Sequence, residues 1–139
     1  MNYWERFKAL NMYSQEHRRE RYMIIFLWKI SQNLVKGYSV PFITNERRGR
    51  TIVPHQVIAR APAAVRRARE SSLSVKGARI FNLLPVTIRN IDSENIQTFK
   101  TELDKFLSLV PDQPTIPGHA RAAETNRVLH QIHFVNNSV

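Results

Sequence analysis

Arginines occur in three clusters in the first half of the chain, and their chemistry is that of phosphate binding. The clusters are Arg18, Arg19 and Arg21; Arg47, Arg48 and Arg50; and Arg60, Arg66, Arg67 and Arg69. A guanidinium group is always charged and offers a planar fork of N–H donors that fits two phosphate oxygens. Gly49 predicts a turn that would place the second cluster on a protruding loop. Intrahelical ion pairs explain Arg18 and Arg21 of the first cluster well, because Glu16 and Glu20 lie near them.

The residue types that catalysis requires are scattered along the sequence. The aspartates are Asp92, Asp104 and Asp112, whereas two-metal phosphoryl transfer needs carboxylates that converge on the same ions. The 4 glycines are isolated from one another, so there is no glycine-rich phosphate loop. His130 and His133 are spaced to share a helix face, but no third metal ligand accompanies them. We therefore expect no enzymatic activity, no metal and no cofactor.

The positive charge is concentrated in the first two-thirds of the chain. Residues 1–91 contain 17 Lys plus Arg and 5 Asp plus Glu, whereas residues 92–139 contain 4 and 6. A large field of one sign attracts polyanions, of which nucleic acid is the first candidate and an acidic membrane the second. A solvated basic surface is the alternative. The predicted nucleic-acid-binding residues are Arg18, Arg47, Arg48, Arg50, Arg60, Arg66, Arg67 and Arg69.

The sequence favours an intracellular protein, nuclear or cytoplasmic. It contains no cysteine, so nothing points to a disulfide scaffold or an oxidising compartment. Residues 1–8 lack the apolar core of a signal peptide. The longest apolar run, residues 22–28, is far shorter than the roughly 20 residues needed to cross a bilayer. We therefore expect no membrane partner.

Apolar residues at helical spacing predict several helices. A short amphipathic helix begins at Tyr3, and Ser14 is the predicted N-cap of a second helix that Gly37 would end. Because residues 22–28 are apolar on every side, this second helix should be enclosed by neighbours. Another long helix is predicted from Ile96 to a stop at Pro111. Its polar face, which includes Asp104, is explained by contact with solvent alone.

The segments between these helices are shorter. Residues 38–58 contain two β-prone runs and predict a hairpin with the arginine loop at its tip. Residues 59–69 read either as an extended arm or as a short helix that begins at Pro62. Leu73 and Val75 alternate like a strand before a turn at Gly77, and a short helix stopped by Pro85 follows.

These segments predict a mainly α protein: a small helical domain with a short two-stranded β-hairpin and a flexible proline-rich C-terminal tail. Residues 1–110 would form one basic helical domain with the hairpin inserted near residues 38–58. Residues 111–118 contain three of the 7 prolines together with a glycine, so residues 111–139 are predicted to be a linker and a weakly ordered tail.

Four blocks of sequence resemble a known family. They are residues 3–13 (YWERFKALNMY), 14–30 (SQEHRRERYMIIFLWKI), 74–90 (SVKGARIFNLLPVTIRN) and 98–118 (TFKTELDKFLSLVPDQPTIPG). Together they resemble the C-terminal segment, after the palm, of the reverse transcriptases of jockey-type non-LTR retrotransposons. The second and third blocks are the more specific ones.

The resemblance implies a fragment of an RNA-directed DNA polymerase: a thumb-like helical region that holds template RNA or a primer duplex. The aspartates of the family's polymerase site have no counterpart in this segment, so the resemblance implies no catalysis. The implied partners are RNA or an RNA/DNA hybrid and the remainder of a reverse transcriptase. The alternative is a docking module that packs on the palm domain, and it predicts exposed apolar residues at Trp4, Phe7 and along residues 96–110.

Overall fold

The computed structural model describes residues 2–45, 47–56 and 59–112 of the chain. The described elements are α1 (Tyr3–Ala9), α2 (Gln15–Ser31), β1 (Phe42–Asn45), β2 (Gly49–Ile52), α3 (Ala63–Glu70), a π-helical turn (Leu73–Gly77), α4 (Ala78–Leu83), α5 (Val86–Arg89), a 3₁₀ turn (Ser93–Asn95) and α6 (Ile96–Leu109). The mainly α class with one two-stranded hairpin is therefore confirmed.

The chain divides into two compact units. The terminal unit combines Met1–Tyr22 with Asp104–Val139, and the central unit is Met23–Leu103. The described part of the terminal unit is residues 2–22 and 104–112. Every residue predicted to bind nucleic acid lies in the central unit, except Arg18.

Asparagine ends the first two helices. Asn11 and Asn33 have φ angles of 50° and 58°, a left-handed conformation that asparagine tolerates better than most residues. The next N–H in each case reaches back across the last turn, from Leu34 to the carbonyl of Lys29 at 2.9 Å and from Met12 to that of Phe7 at 2.9 Å. The prediction that Leu34 and Val35 belong to this helix and that Gly37 ends it is therefore wrong: α2 ends at Ser31.

Polar contacts close the terminal unit at the start of α2. Asp112 accepts hydrogen bonds from the backbone N–H and the hydroxyl of Ser14, both at 2.5 Å. The Ser14 hydroxyl oxygen in turn accepts the N–H of His17 at 3.3 Å, which confirms Ser14 as the N-cap. His17, expected on a polar face, is fully buried, with its Nε2 3.6 Å from Asp112.

The core of the central unit is built around Trp28. Its ring stacks on Phe99 with centroids 4.5 Å apart, and its Nε1 donates to the carbonyl of Ile91 at 3.1 Å. The other fully buried large side chains of this unit are Ile24, Leu27, Ile80, Phe81, Leu103 and Val75.

The run at residues 22–28 is not enclosed on every side. Tyr22 is 64% exposed and Phe26 is 38% exposed. The two residues are four positions apart on α2 and so share one helix face, which is therefore open, while the intervening Ile24 and Ile25 are buried. An apolar run alone does not tell how many neighbours a helix has.

The hairpin has the register Phe42↔Ile52, Ile43↔Thr51, Thr44↔Arg50 and Asn45↔Gly49. Side chains from α4 and α5 occupy the outer edge of β2. Asn82 pairs with both the N–H and the carbonyl of Ile52 at 2.8 Å, as a neighbouring strand would. Arg89 donates to the backbone carbonyl of Arg50 at 3.0 Å. The side-chain oxygen of Asn90 accepts the backbone N–H of Arg50 at 3.3 Å. The edge of β2 is thereby hydrogen-bonded without a third strand.

Residues 73–77 form a π-helical turn, so the predicted strand at Leu73 and Val75 is wrong. Val75, Lys76 and Gly77 are buried in succession, whereas a strand would turn consecutive residues to opposite faces. Gly77 continues into α4 with helical dihedrals instead of turning the chain. A Cβ at this position would come within 2.7 Å of Leu27, so the glycine permits close packing against α2.

Candidate nucleic-acid interface

The turn of the hairpin presents Arg47 and Arg48. Both are exposed, and the side-chain oxygen of Asn45 accepts their backbone N–H groups at 2.9 and 3.4 Å. These hydrogen bonds hold the backbone N–H groups of Arg47 and Arg48, and both side chains remain in solvent. Gly49, with φ of 66°, completes the turn, and a Cβ there would lie 2.7 Å from Val86.

Arg50 lies on β2 and not on the protruding loop. Its register partner is Thr44, because the two strands extend further towards the turn than the sequence predicts. The guanidinium carbon sits 5.4 Å from the centroid of the Phe42 ring, a cation–π geometry, and the side chain is half-buried. The prediction that three arginines share the tip is therefore wrong for Arg50.

Helix α3 confirms the short-helix alternative for residues 59–69. Pro62 is its N-cap residue, and Arg66, Arg67 and Arg69 are all exposed. Arg66 and Arg69 are three residues apart and share one face. Arg60 lies in the turn that precedes the helix and is also exposed.

No residue of α3 is buried. A helix of eight residues has little stability of its own in water, because so few hydrogen bonds offset the cost of nucleation. Ala64, Val65 and Ala68 lie on the side of the helix away from Arg66 by helical geometry, and all three are exposed. The three arginines of α3 therefore lie on a helix that contributes no buried side chain to the core of the central unit.

Arg18 is only half-exposed and has a structural contact. Its Nε donates to the backbone carbonyl of Tyr13 at 3.2 Å. Arg21 forms a two-pronged ion pair with Asp104, at 2.6 and 3.1 Å. Intrahelical pairs with acidic neighbours therefore do not explain Arg18 and Arg21. Asp104, which was expected to need only solvent, holds Arg21 and raises its pKa.

Two arginines of the central unit were not among the predicted nucleic-acid-binding residues: Arg79 and Arg89. Arg79 is exposed between Ala78 and Ile80, which are both fully buried. The buried Gly77, Ile80 and Phe81 follow helical spacing, and Arg79 lies on the side opposite this stripe, which was the signal that it faces outward. Arg89, by contrast, is buried, and it donates to the carbonyls of Leu84 and Arg50, both at 3.0 Å.

Exposed arginines are concentrated in the central unit, in a stretch that Glu46 precedes and Glu70 follows in the sequence. Residues 23–103 contain 13 Lys plus Arg and 5 Asp plus Glu. Between Arg47 and Arg69 there are seven arginines and no acidic residue. We call six of these residues the exposed arginine set: Arg47, Arg48, Arg60, Arg66, Arg67 and Arg69. No carboxylate among the described residues lies within 4.0 Å of their guanidinium nitrogens.

The apolar residues expected for a docking surface are only partly exposed. Trp4 and Phe7 are half-buried and line a groove of the terminal unit together with Lys8, Met12, Pro111 and Asp112. The apolar face of α6 is covered instead, since Phe99, Leu103 and Leu107 are fully buried. The prediction of an exposed face along residues 96–110 is therefore wrong.

Neither a metal cluster nor a membrane-spanning helix is present in the described part of the chain. Within residues 2–45, 47–56 and 59–112, no three His, Asp or Glu side chains are grouped so that they could hold a metal ion. In the same residues no helix is both long and apolar enough to cross a bilayer. His130 and His133 lie outside the described residues.

The fold and the arginine set define a small, mainly helical protein with a basic central unit. No protein-family model matches the chain. Comparisons with curated proteins and with solved structures found no match either.

Proposed function

We propose that this protein is a non-catalytic nucleic-acid-binding module of the nucleus or cytoplasm that contacts the phosphates of RNA or of an RNA/DNA duplex. The observation that carries the proposal is the exposed arginine set, with no acidic residue between Arg47 and Arg69. Arginine is the side chain best suited to a two-pronged hydrogen bond with a phosphate. Phosphate contacts also dominate the affinity of most nucleic-acid-binding proteins.

The hairpin suits this role because its backbone is fixed. Asn82, Arg89 and Asn90 hydrogen-bond the outer edge of β2, and Asn45 holds the turn. These hydrogen bonds reduce how much of the hairpin backbone has to be ordered when a phosphate binds to Arg47 and Arg48, which lowers the entropic cost of binding. Arg50 supports the tip through its contact with Phe42 and is a weaker candidate for phosphate binding.

The choice of RNA or a hybrid duplex rests on the resemblance to the segment after the palm of a retrotransposon reverse transcriptase. In that context the module would hold template RNA or the primer duplex while the rest of the polymerase performs the chemistry. The contacts proposed here reach only phosphates, so the binding is expected to be independent of base sequence.

The second candidate is a docking module that packs on the palm domain and has no nucleic-acid role. The apolar groove at Trp4, Phe7 and Met12 favours it, as does an exposed aromatic pair in the central unit. In that pair the rings of Phe26 and Tyr38 lie edge to face at 6.4 Å, and Tyr38 is 63% exposed.

The test is the binding of labelled oligonucleotides to the full chain, measured by fluorescence anisotropy over a range of salt concentrations. Single-stranded RNA, duplex DNA and an RNA/DNA hybrid of unrelated sequences are compared. We expect binding that weakens linearly in a plot of log affinity against log salt, by about 0.9 per phosphate contact on duplex DNA. Absence of binding at about 50 mM salt would exclude the proposal and favour the docking module.

A further inference from the structure

Two serines end α3 and cap it with their hydroxyl groups. The Ser71 hydroxyl donates to the carbonyls of Arg67 at 2.9 Å and Ala68 at 3.2 Å. The Ser72 hydroxyl donates to the carbonyl of Arg69 at 2.5 Å. Ser71 is exposed and Ser72 is half-buried. Both hydroxyls therefore lie at the negative end of the helix dipole.

These serines follow the most basic stretch of the chain, from which the single exposed acid Glu70 separates Ser71. Arg66, Arg67 and Arg69 precede Ser71 by five, four and two residues, and all three are exposed. Protein kinases choose substrates partly by charge patterns around the phosphorylated residue. Arginines placed before a serine fit a kinase whose substrate groove is acidic.

Helix α3 is also able to open, which a kinase requires of its substrate. Because none of its side chains is buried, unwinding it exposes no core residue and costs the hydrogen bonds of a short helix and its contacts with the π-helical turn. The chain before the serines can then adopt an extended conformation in the active site of the kinase.

We propose that the Ser71–Ser72 pair is a phosphorylation site for a kinase that selects arginine on the N-terminal side, and that its phosphorylation weakens nucleic-acid binding. In the reaction the serine Oγ forms a bond with the γ-phosphorus of ATP. The bond from that phosphorus to the β–γ bridging oxygen breaks, ADP leaves, and the hydroxyl proton passes to the catalytic base of the kinase.

The phosphate acts on the arginines of α3 through charge. It brings about −2 charges to the negative end of the helix dipole and removes the hydroxyl proton that capped a carbonyl, so it destabilises the last turn. Its oxygens also pair with neighbouring guanidinium groups, which are then no longer free to bind nucleic acid. This second effect rests on the proposed function, whereas the modification itself does not.

The modification is tested by incubating the full chain with ATP and the catalytic subunit of an arginine-directed kinase, followed by mass spectrometry of the intact protein and of its peptides. We expect about one phosphate per chain, on Ser71 or Ser72. Ser71→Ala/Ser72→Ala should abolish this phosphate, and Arg66→Ala/Arg67→Ala/Arg69→Ala should slow its incorporation by about tenfold or more, about 1.4 kcal/mol of lost recognition.

Ser108 provides the matched control. It is exposed, and its hydroxyl donates to the carbonyl of Lys105 at 2.6 Å near the end of α6, but no arginine lies among residues 90–107. Ser108→Ala should leave phosphate incorporation unchanged. No incorporation, or incorporation that persists in Ser71→Ala/Ser72→Ala, would overturn the proposed site.

The effect on binding is a separate measurement. On duplex DNA the phosphorylated chain should show a slope of log affinity against log salt that is smaller by about 1 to 2, as expected for the loss of one or two phosphate contacts. An unchanged slope at full phosphorylation would overturn the regulatory effect alone. If the unmodified chain binds no nucleic acid, the proposed function fails while the mass measurement still decides the modification.

Discussion

The arginines of this protein differ in burial: Arg89 is buried, whereas Arg47 and Arg48 are exposed. Arg89 donates to the carbonyls of Leu84 and Arg50 in the interior of the central unit, and burial lowers its pKa from the ordinary value. The side chains of Arg47 and Arg48 are exposed at the turn of the hairpin. Only the exposed arginines can reach a phosphate, so the count of basic residues overstates the charge available for binding.

Replacing Arg89 should cost stability. In Arg89→Met the carbonyls of Leu84 and Arg50 lose their donors, and carbonyls left without a partner in a buried position cost about 1 to 3 kcal/mol. We expect the free energy of unfolding, measured by urea denaturation, to fall by about 2 to 3 kcal/mol. The matched control is Arg79→Met on the exposed side of α4, which should change it by less than about 0.5 kcal/mol. Equal effects of the two substitutions would contradict the structural role of Arg89.

Tyr13 should make stability depend on alkaline pH. Burial, with a smaller contribution from the Asp104 carboxylate, raises the pKa of the Tyr13 phenol above its ordinary value of 10.0. The unfolded chain therefore loses this proton first, so the contribution of Tyr13 to stability is fully present below pH 10.0 and is lost as the pH rises through the folded-state pKa.

The measurement is the urea midpoint at pH 8 and pH 11 for Tyr13→Phe and for Tyr38→Phe, whose ring is exposed. Tyr13→Phe should lose part of the alkaline decline in stability, at a cost of about 0.5 to 1.5 kcal/mol at pH 8, because the hydrogen bond to the carbonyl of Asp104 at 3.2 Å disappears. A decline identical to that of Tyr38→Phe would show that Tyr13 is not responsible.

At the scale of the elements, local signals predict the long helices well. Apolar residues at helical spacing predicted α6, in which Phe99, Leu103 and Phe106 are buried, and Ser14 predicted the start of α2. These elements follow from helical periodicity and from capping chemistry within a few residues. The sequence also predicted a hairpin within residues 38–58.

The errors occur where a distant contact decides the structure. The sequence around Leu73 and Val75 alternates like a strand, but the segment becomes a π-helical turn because four consecutive residues pack inward, beginning with Val75. Similarly, the position of Arg50 depends on how many residues of β1 and β2 pair with each other. The backbone of Arg50 is hydrogen-bonded by Arg89 and Asn90, which lie about 40 positions further along the chain and were not recognised as partners of β2.

Asn82 provides a test of how the hairpin is held. In Asn82→Asp the acceptor for the N–H of Ile52 remains, but the donor to the carbonyl of Ile52 is replaced by a carboxylate oxygen that repels it. We expect the hairpin to open more often, with amide hydrogen exchange in residues 49–52 faster by about tenfold or more. Exchange in α6 should change much less, and equal acceleration in both segments would contradict a local role for Asn82.

At the scale of the whole molecule, the charge of the central unit is what the proposed function depends on. The exposed arginine set has two parts, the hairpin tip and the segment that contains α3. Their side chains lie outside the core, so exposed substitutions there should change the free energy of unfolding by less than about 0.5 kcal/mol. Binding and folding are thereby separable by mutation.

The decisive variants are Arg47→Ala/Arg48→Ala and Arg66→Ala/Arg67→Ala/Arg69→Ala. If each arginine contacts one phosphate of duplex DNA, the slope of log affinity against log salt should decrease by about 2 for the double variant and by about 3 for the triple variant. The losses should be nearly equal for unrelated base sequences, because phosphates carry no sequence information.

Arg6→Ala/Arg19→Ala is the control variant. It removes two exposed charges of the terminal unit and should leave the slope unchanged. If this control lowers the slope as much as the hairpin variant does, net charge alone attracts the nucleic acid. If neither arginine variant changes binding at any salt concentration, the arginines are a solvated surface and the docking function is the better explanation.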